Sequence, residues 1–341
     1  MLLLGALVVS CTPASKGSAG NGNAPKASGE VVVYTSVDQV FAEPVFKDFE
    51  ARTGIHVRPV YDAEAAKTTG LVNRLIAEKA RPRADVWWSG EIVQTLKLAH
   101  QGLLAPYQSP SASSIPADLK DPSGLWTGIG GRARVLIVNL SAKGTIPTSL
   151  ADLWNPAAGT DPRRTAMSDP VFGTASTEAA ILYSLWGREK AKAYFAAIPT
   201  SGMRVLEGNG DVRDKVVSGE LDWGLADTDD ALGAVAKGAH VRIVVPDQGP
   251  GGIGGAILIP NTVGLVAGGP DPANGKRLID YLLSAATERR LVAEEWIQFP
   301  VRGAPDPRVS ATRVHFLAVD WKKAYAQLDA SAADMREIFL R

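Results

Sequence analysis

The sequence has almost no cysteine, no excess of either charge and few histidines. Cys11 is the single cysteine in 341 residues, so no disulfide framework is available. Lys and Arg number 36, as do Asp and Glu, and this balance gives no electrostatic basis for binding nucleic acid. After the first ten residues, no stretch of 18 apolar residues free of charge occurs, so we expect no membrane-spanning helix there.

Motifs of the common enzyme classes are also missing. The chain has no Gly-x-Ser-x-Gly elbow, no Walker loop, no His-Glu-x-x-His string and no dinucleotide fingerprint. The four histidines are scattered and share no metal-ligand spacing. We therefore predict that the protein is not an enzyme.

The N-terminal segment has the features of an export signal. Residues 2–9 are a short apolar run, and Ser10 and Cys11 follow it. Such a run is typical of a signal peptide and too short to span a bilayer. Its end, Val-Val-Ser-Cys, resembles a bacterial lipobox, which implies a signal peptide at residues 1–10 and a lipidated Cys11. The alternative is a buried or disordered N-terminal thiol.

The residues after Cys11 favour an anchored protein. Residues 12–29 are nearly all small or polar, and no large apolar side chain occurs before Val31. A stretch of this composition cannot form a core, so we expect residues 11–29 to be a flexible tether. About 310 residues then remain, enough for two domains of ordinary size.

The body alternates between two kinds of hydrophobic pattern. A buried strand is predicted at residues 31–34, and Ser36 with Gln39 has the spacing of a capping box that opens the first helix. The same succession of strand and helix continues along the chain, which predicts βαβ units and a parallel sheet. Five glycines within residues 249–255 predict a bend between two α/β halves.

Strings along most of the chain after residue 29 resemble the bacterial extracellular solute-binding proteins, closest to their ferric-ion-binding branch. The strings lie at residues 31–36 (VVVYTS), 49–55 (FEARTGI), 84–88 (ADVWW), 101–107 (QGLLAPY), 131–135 (GRARV), 148–154 (TSLADLW), 173–175 (GTA) and 218–220 (SGE).

This resemblance implies an α/β protein with the two-lobed type II periplasmic-binding-protein fold and a ligand cleft between the lobes. It implies chain crossings near residues 132–138 and 255–259, and a tail helix at residues 322–340 packed on the C-lobe. The implied N-lobe is residues 29–131 plus 256–300, and the implied C-lobe is residues 135–255 plus 301–341. We expect a monomer in the periplasm or at the outer face of the cytoplasmic membrane, where it delivers solute to ABC permease and ATPase subunits.

Candidate ligand residues come from loops that follow strands, because ligands of open α/β sheets bind beyond the carboxyl ends of strands. The candidates for ligand or anion binding are Thr35, Ser36, Ser89, Gly173, Thr174, Ala175, Asn209 and Asp227. Residues 173–175 precede a predicted helix, whose N–H groups and dipole favour an anion. An ordinary Thr or Ser helix cap accounts for the same residues without a ligand.

Four acids are candidate metal ligands. The ferric-binding relatives have a tyrosine pair where this chain has Asp229 and Asp230, a histidine where it has Asp38, and a glutamate near Glu91. Hard cations prefer oxygen ligands, so these carboxylates could hold iron(III) with a synergistic anion, or another cation.

These acids have two further interpretations that need no metal. Asp227 is placed to cap a helix, and Asp229 and Asp230 would then lie in its first turn. Carboxylates without a metal would instead suit an ammonium-bearing solute, whose anionic end residues 173–175 would hold. Trp87 and Trp88 follow each other in a predicted strand, and alternation sends one to the core and the other toward the cleft mouth.

The leading hypothesis is a substrate-binding lipoprotein of an ABC importer, of the iron(III) type, that captures its solute by lobe closure. Its alternatives are a binding protein for a solute with phosphate, phosphonate or amine groups, and a sensor that presents its ligand to a membrane receptor. A metal-assisted hydrolase is disfavoured, because no combination of nucleophile, base and orienting group is visible.

Overall fold

A computed structural model describes residues 29–62, 69–153, 161–303, 307–309 and 314–340. Cys11, the predicted signal peptide and nearly all of the predicted tether lie outside the described residues. Within the described ranges, no helix has both the length and the apolar character needed to cross a bilayer.

The described residues form ten strands and eleven α-helices. The strands are β1 (Glu30–Thr35), β2 (His56–Tyr61), β3 (Val86–Ser89), β4 (Leu104–Ala105), β5 (Thr127–Asn139), β6 (Thr165–Ser168), β7 (Arg204–Leu206), β8 (Trp223–Asp227), β9 (Val241–Val244) and β10 (Leu258–Val266). The helices are α1 (Gln39–Thr53), α2 (Thr69–Ala77), α3 (Val93–His100), α4 (Gly173–Trp186), α5 (Arg188–Ser201), α6 (Asn209–Val217), α7 (Thr228–Ala236), α8 (Pro272–Leu282), α9 (Ala285–Ala293), α10 (Trp321–Ala326) and α11 (Leu328–Phe339).

The strand β5 joins two sheets. Its first part pairs with β10, which pairs in turn with β3 and with β4, and β1 and β2 complete the first sheet. Its second part pairs with β8 and β9, and β6 and β7 complete the second sheet. We call the elements around these two sheets the first lobe and the second lobe. The predicted α/β fold is confirmed.

Strand directions place a cleft between the lobes. β1 and β3 are parallel, and β5 runs in their direction because it is antiparallel to β10, which is antiparallel to β3. β8 is antiparallel to β5, and β6 is parallel to β8. The carboxyl ends of β1 and β3 therefore face those of β6 and β8, and the helices that follow these strands begin at the cleft.

The two crossing strands approach each other closely because of glycine. A Cβ on Gly131 would lie 2.6 Å from the carbonyl oxygen of Ile259 on β10. Gly130 has a φ of +81°, which other residues rarely adopt. The pairing of β10 with β5 has a register shift between Pro260 and Thr262. Proline cannot donate to the ladder, which accounts for the irregularity.

Each lobe has its own apolar core. In the first lobe, β1, α1 and α8 contribute Val31, Phe49 and Leu278, and in the second, Leu182 and Phe195 come from α4 and α5. All five side chains are fully buried. The residue limits predicted for the two lobes stay a prediction.

Both tryptophans at the end of β3 are buried, although alternation predicts one of them at the cleft mouth. The indole N–H of Trp87 donates to Thr95 Oγ1 at 2.8 Å. Trp88 packs edge-on against Phe46 and Trp296, with centroids 5.6 Å apart in each pair. Helices cover both faces of this sheet, so successive side chains of β3 point into two different core layers and both are buried.

The chain ends in two helices where a single one is predicted. α10 and α11 meet at Gln327, and α11 carries the buried carboxylate of Asp334. That carboxylate accepts hydrogen bonds from Tyr183 of α4 and from Arg188 and Lys192 of α5 at 2.8 to 3.0 Å. These bonds attach the tail to the second lobe.

Candidate functional site

The first-lobe wall of the cleft is built from the ends of β1 and β3. Ser36 Oγ accepts a hydrogen bond from the N–H of Gly90 at 3.0 Å and lies 3.3 Å from Ser89 Oγ. Thr35 Oγ1 accepts from the N–H of Val37 at 3.0 Å. Ser36 and Ser89 thus belong to a network that links two loops, and the role of these residues and of Thr35 in ligand binding stays a prediction.

The predicted capping box is wrong. Helix α1 begins at Gln39, its N-cap residue is Asp38, and no side chain caps it. Ser36 is unavailable because its hydroxyl is bonded to Gly90 on the neighbouring loop. A tertiary contact has replaced the local bond that the spacing suggests.

Glu91 is a helix cap. Its carboxylate accepts from the N–H groups of Val93 and Gln94 at 2.7 and 2.9 Å, which are donors of the first turn of α3. The same carboxylate accepts from Thr177 Oγ1 of the second lobe at 3.2 Å. Burial raises the pKa of Glu91, and the three hydrogen bonds oppose that shift. Both oxygens of Glu91 thus accept hydrogen bonds from protein donors, and its role as a metal ligand stays a prediction.

The second-lobe wall contains the start of α4. Gly173 is its first residue and has a φ of +57°, and Ala175 is buried within the first turn. The leading N–H groups of a helix have no partner inside it, and the dipole favours an anion there. The predicted anion contact therefore rests on the backbone of residues 173–175.

The side chains of Thr174 and Asn209, predicted as further anion donors, bind within the protein. Thr174 Oγ1 donates to Asp227 Oδ2 at 2.7 Å. Asn209 Nδ2 donates to Thr174 Oγ1 at 3.2 Å, and Asn209 Oδ1 accepts from Arg134 at 3.0 Å. Their hydrogen bonds hold the start of α4 in place above Asp227.

Asp227 occupies the N-cap position of α7 but makes no capping bond. Arg134 Nη1 donates to its Oδ1 at 2.7 Å, and Arg132 Nε lies 3.1 Å from its Oδ2. Both oxygens of Asp227 are therefore paired, so the capping role is wrong. Asp227 positions the two arginines and Thr174, and its role in ligand binding stays a prediction.

Arg132 and Arg134 are the site residues that sequence reasoning missed. They are two apart on β5, so they point to the same side of the strand. Arg134 is completely buried and also donates to Glu178 Oε2 at 2.6 Å, whereas the Arg132 side chain is 21% exposed. This difference makes Arg134 a structural group and leaves Arg132 accessible from the cleft. The sequence feature that could have indicated them is a pair of positive charges inside an otherwise apolar strand.

Asp229 and Asp230 lie in the first turn of α7, as predicted. Arg132 Nη1 is 3.7 Å from Asp229 Oδ2, and Arg213 Nη1 donates to Asp230 Oδ1 at 3.2 Å. Burial raises the pKa of both carboxyl groups, and the neighbouring charges of Asp229 and Asp227 help to raise that of Asp230 to about 8. The two arginines oppose the shift without cancelling it.

Arg132 is surrounded by acids from both lobes. Burial by itself would lower the pKa of its guanidinium, but Asp229, Asp227 and Asp230 from the second lobe and Asp38 from the first raise it. A Cβ added to Gly90 would lie 3.9 Å from Arg132 Nη1, which places this nitrogen beside the first-lobe wall. Arg132 is the cationic group at the base of the cleft.

The predicted metal group is not assembled. Among the described residues, no three Asp, Glu, His or Cys side chains are placed together to hold a metal ion. The carboxylate of Glu91 points toward the N–H groups of α3 that it caps, and Arg132 lies close enough to Asp229 to form an ion pair with it. The arrangement offers an acidic region beside a helix N-terminus.

Comparison with known proteins settles the family. The sequence profile of the family described as "Bacterial extracellular solute-binding protein" matches residues 83–327, which is more than half of the chain. The chain belongs to this family. Its members bind small solutes and work with the permease and ATPase components of ABC transporters, and the family is not an enzyme class.

Individual relatives of this solute-binding protein differ in what their names report. A curated Salmonella typhimurium protein, named "Putative 2-aminoethylphosphonate-binding periplasmic protein", is 27% identical over 296 residues, which are 84% of this chain and 83% of that protein. The ferric binding protein from Campylobacter jejuni superimposes with a TM-score of 0.80 at 20% identity, over 91% of this chain and 99% of the other. The periplasmic binding protein AfuA from Actinobacillus pleuropneumoniae, with fructose-6-phosphate bound, has a TM-score of 0.75 at 21% identity, over 92% and 99%.

These comparisons confirm the predicted family and the two-lobed fold. The homologues of this solute-binding protein are periplasmic. The structural likenesses, at 20% and 21% identity, concern the fold. The ligand has to be inferred from the side chains of the cleft.

Proposed function

We propose that this solute-binding protein captures a small zwitterionic solute, with one ammonium group and one phosphonate or phosphate group, and delivers it to an ABC permease. The observation that carries the proposal is the incompletely neutralised pair Asp229 and Asp230. Burial, followed by the negative charges of Asp229 and Asp227, raises the pKa of Asp230 to about 8, and a cationic ligand beside the pair would favour its ionised form.

The anionic end of the solute has a separate place. The N-terminus of α4 offers backbone donors on the same wall, where Thr174 bonds to Asp227 at the start of α7, and Arg132 lies between the acids and the first lobe. Opposite charges on one solute would meet opposite charges on the protein. The name of the Salmonella relative, which specifies 2-aminoethylphosphonate, supports this class of solute.

Iron(III), the ligand of the leading hypothesis, is less well supported. Two adjacent carboxylates are present, but Glu91 is occupied and Arg132 pairs with Asp229. The support for iron comes from structural neighbours such as the Campylobacter jejuni protein, whose 20% identity concerns the fold, and from a Synechocystis sequence relative named "Iron uptake protein A1", which is 26% identical over 294 residues.

A binding experiment separates the two ends of the solute. Isothermal titration of 2-aminoethylphosphonate is compared with ethylphosphonate, which lacks the ammonium group, and with ethanolamine, which lacks the phosphonate. We expect the zwitterion to bind at least about tenfold more tightly than either part, equivalent to about 1.4 kcal/mol. Iron(III) with carbonate or phosphate is the fourth ligand, and tight binding of iron alone would overturn the proposal.

Variants locate the ammonium subsite. Asp229→Asn with Asp230→Asn should reduce the affinity for 2-aminoethylphosphonate to that for ethylphosphonate, because neutral amides cannot pair with the ammonium group. Asp211→Asn is the matched control, since Asp211 is an acid in the first turn of α6. Equal losses in both variants would show a general electrostatic effect in place of a subsite.

Solute capture by lobe closure and anchoring through Cys11 are part of the same proposal. Lipidation is tested by labelling cells with an alkyne fatty acid and comparing the full chain with Cys11→Ser. The label and the membrane-bound fraction should both be lost in the variant. An unlabelled wild-type chain would contradict the anchor and leave the ligand proposal unaffected.

A further inference from the structure

Two large apolar side chains lie exposed at the cleft, one on each lobe. Val40 is 71% exposed and Phe172 is 62% exposed, the highest values among the large apolar side chains of the described residues. Single exposed apolar residues are common on protein surfaces, so exposure alone carries no conclusion. The positions of these two are what distinguishes them.

Val40 and Phe172 occupy corresponding places on facing walls. Val40 is the second residue of α1, which follows β1, and Phe172 is the N-cap of α4, which follows β6. The carboxyl ends of β1 and β6 point toward each other across the cleft, as the strand directions require. Both side chains therefore belong to helix starts at the cleft mouth.

The lobes already touch deeper in the cleft. Thr177 of α4 donates to Glu91 at 3.2 Å, and Thr228 of α7 donates to Gln298 Oε1 at 3.1 Å, with all four residues buried. Thr177 lies five residues beyond Phe172, about 7.5 Å along the helix at 1.5 Å per residue. Helix α4 thus has a buried contact with the first lobe at Thr177 and an exposed apolar side chain, Phe172, at its start.

We propose that Val40 and Phe172 pack against each other when the lobes close, so that their contact favours the closed form. The proposal rests on the lobe closure proposed above. Neither side chain offers a hydrogen bond to a charged solute, whereas each would remove apolar surface of the other from water. Phe172 also adjoins Gly173, so its burial would shield the anion-binding N-terminus from solvent.

Cross-linking tests whether the two residues meet. The full chain with Cys11→Ser carries Val40→Cys and Phe172→Cys, and a short bifunctional thiol reagent is added without any ligand. We expect an intramolecular cross-link that forms at least about tenfold faster than in the control Val40→Cys with Leu340→Cys, whose second site is on the exposed chain end. Equal rates in the two variants would overturn the proposal.

Ligand binding gives the energetic test, with 2-aminoethylphosphonate as the probe. Phe172→Ala and Val40→Ala should each weaken binding severalfold, and the double variant should be no weaker than Phe172→Ala, since one contact is lost in all three. Strictly additive effects would overturn the contact. Unchanged affinity with reduced uptake by cells would also overturn it, and would assign Phe172 to the permease interface. If the probe does not bind the wild-type protein, the proposed solute is wrong. The cross-linking rate then still tests the contact between Val40 and Phe172.

Discussion

Thr177 of the second lobe donates a hydrogen bond over 3.2 Å to the Glu91 carboxylate of the first lobe. Glu91 also caps α3, so one side chain supports both a helix and the contact between lobes. Such a double role accounts for the burial of this acid, whereas Asp38, Asp229 and Asp230 stay at least partly exposed.

We expect Glu91→Ala to lower the free energy of unfolding by about 1–3 kcal/mol, because α3 loses its cap and Thr177 loses its acceptor. Thr177→Val should cost about 1 kcal/mol, and the double variant should show a coupling of about 0.5–1.5 kcal/mol. Urea unfolding of all four proteins measures the cycle. Zero coupling would mean that the lobes are not joined through this bond.

Asp227→Asn should destabilise the second lobe by about 3–5 kcal/mol, because the buried guanidinium of Arg134 keeps only Glu178 as its charged partner. Chemical denaturation is the measurement, and Asp118→Asn, at an exposed site, is the control. A loss of ligand affinity without a loss of stability would contradict the structural role and make Asp227 a direct ligand.

Local patterns were sufficient to predict most of the secondary structure. The alternation of buried strands with amphipathic helices predicts β1 and the start of α1 within a residue or two, since both patterns reflect burial of one face or of a whole strand. The capping box at Ser36 failed because the hydroxyl had a better partner in Gly90, 54 residues away. Hydrogen bonds between side chains that are distant in sequence cannot be predicted from the spacing of neighbouring residues.

The sequence pattern predicts that the candidate residues follow strands, but it does not predict how their side chains pair. Loops after strands were expected at the cleft, and Asp229, Asp230 and Gly173 all begin helices there. The sequence does not predict a site role for Arg132 and Arg134, because in a strand pattern they are only interruptions of an apolar run. Their pairing with Asp227, more than 90 residues away, depends on the crossing of β5 beside β8.

Asp334 should stabilise the protein at neutral pH and lose that effect in acid. Its hydrogen bond with Arg188, followed by those with Lys192 and Tyr183, lowers its pKa below the ordinary value of an aspartate, against the effect of burial. A lowered pKa in the folded state means that the unfolded chain takes up the proton first as the pH falls. Asp334→Asn should therefore cost about 1–3 kcal/mol at pH 7 and less at pH 3. A constant difference across this range, measured by urea unfolding, would contradict the assignment.

Asp230 predicts the opposite pH dependence. Its pKa is raised to about 8 in the folded protein, above that of an unfolded aspartate near 4, so the folded state holds a proton that the unfolded state has released. The free energy of unfolding should fall as the pH rises from about 4 to 8, and Asp230→Asn should remove part of this slope. A cationic ligand favours the ionised carboxylate, so binding of 2-aminoethylphosphonate at pH 7 should release protons. Titrations in buffers of different ionisation enthalpy count those protons, and no release in wild type would show that the ammonium group does not reach the Asp229 and Asp230 pair.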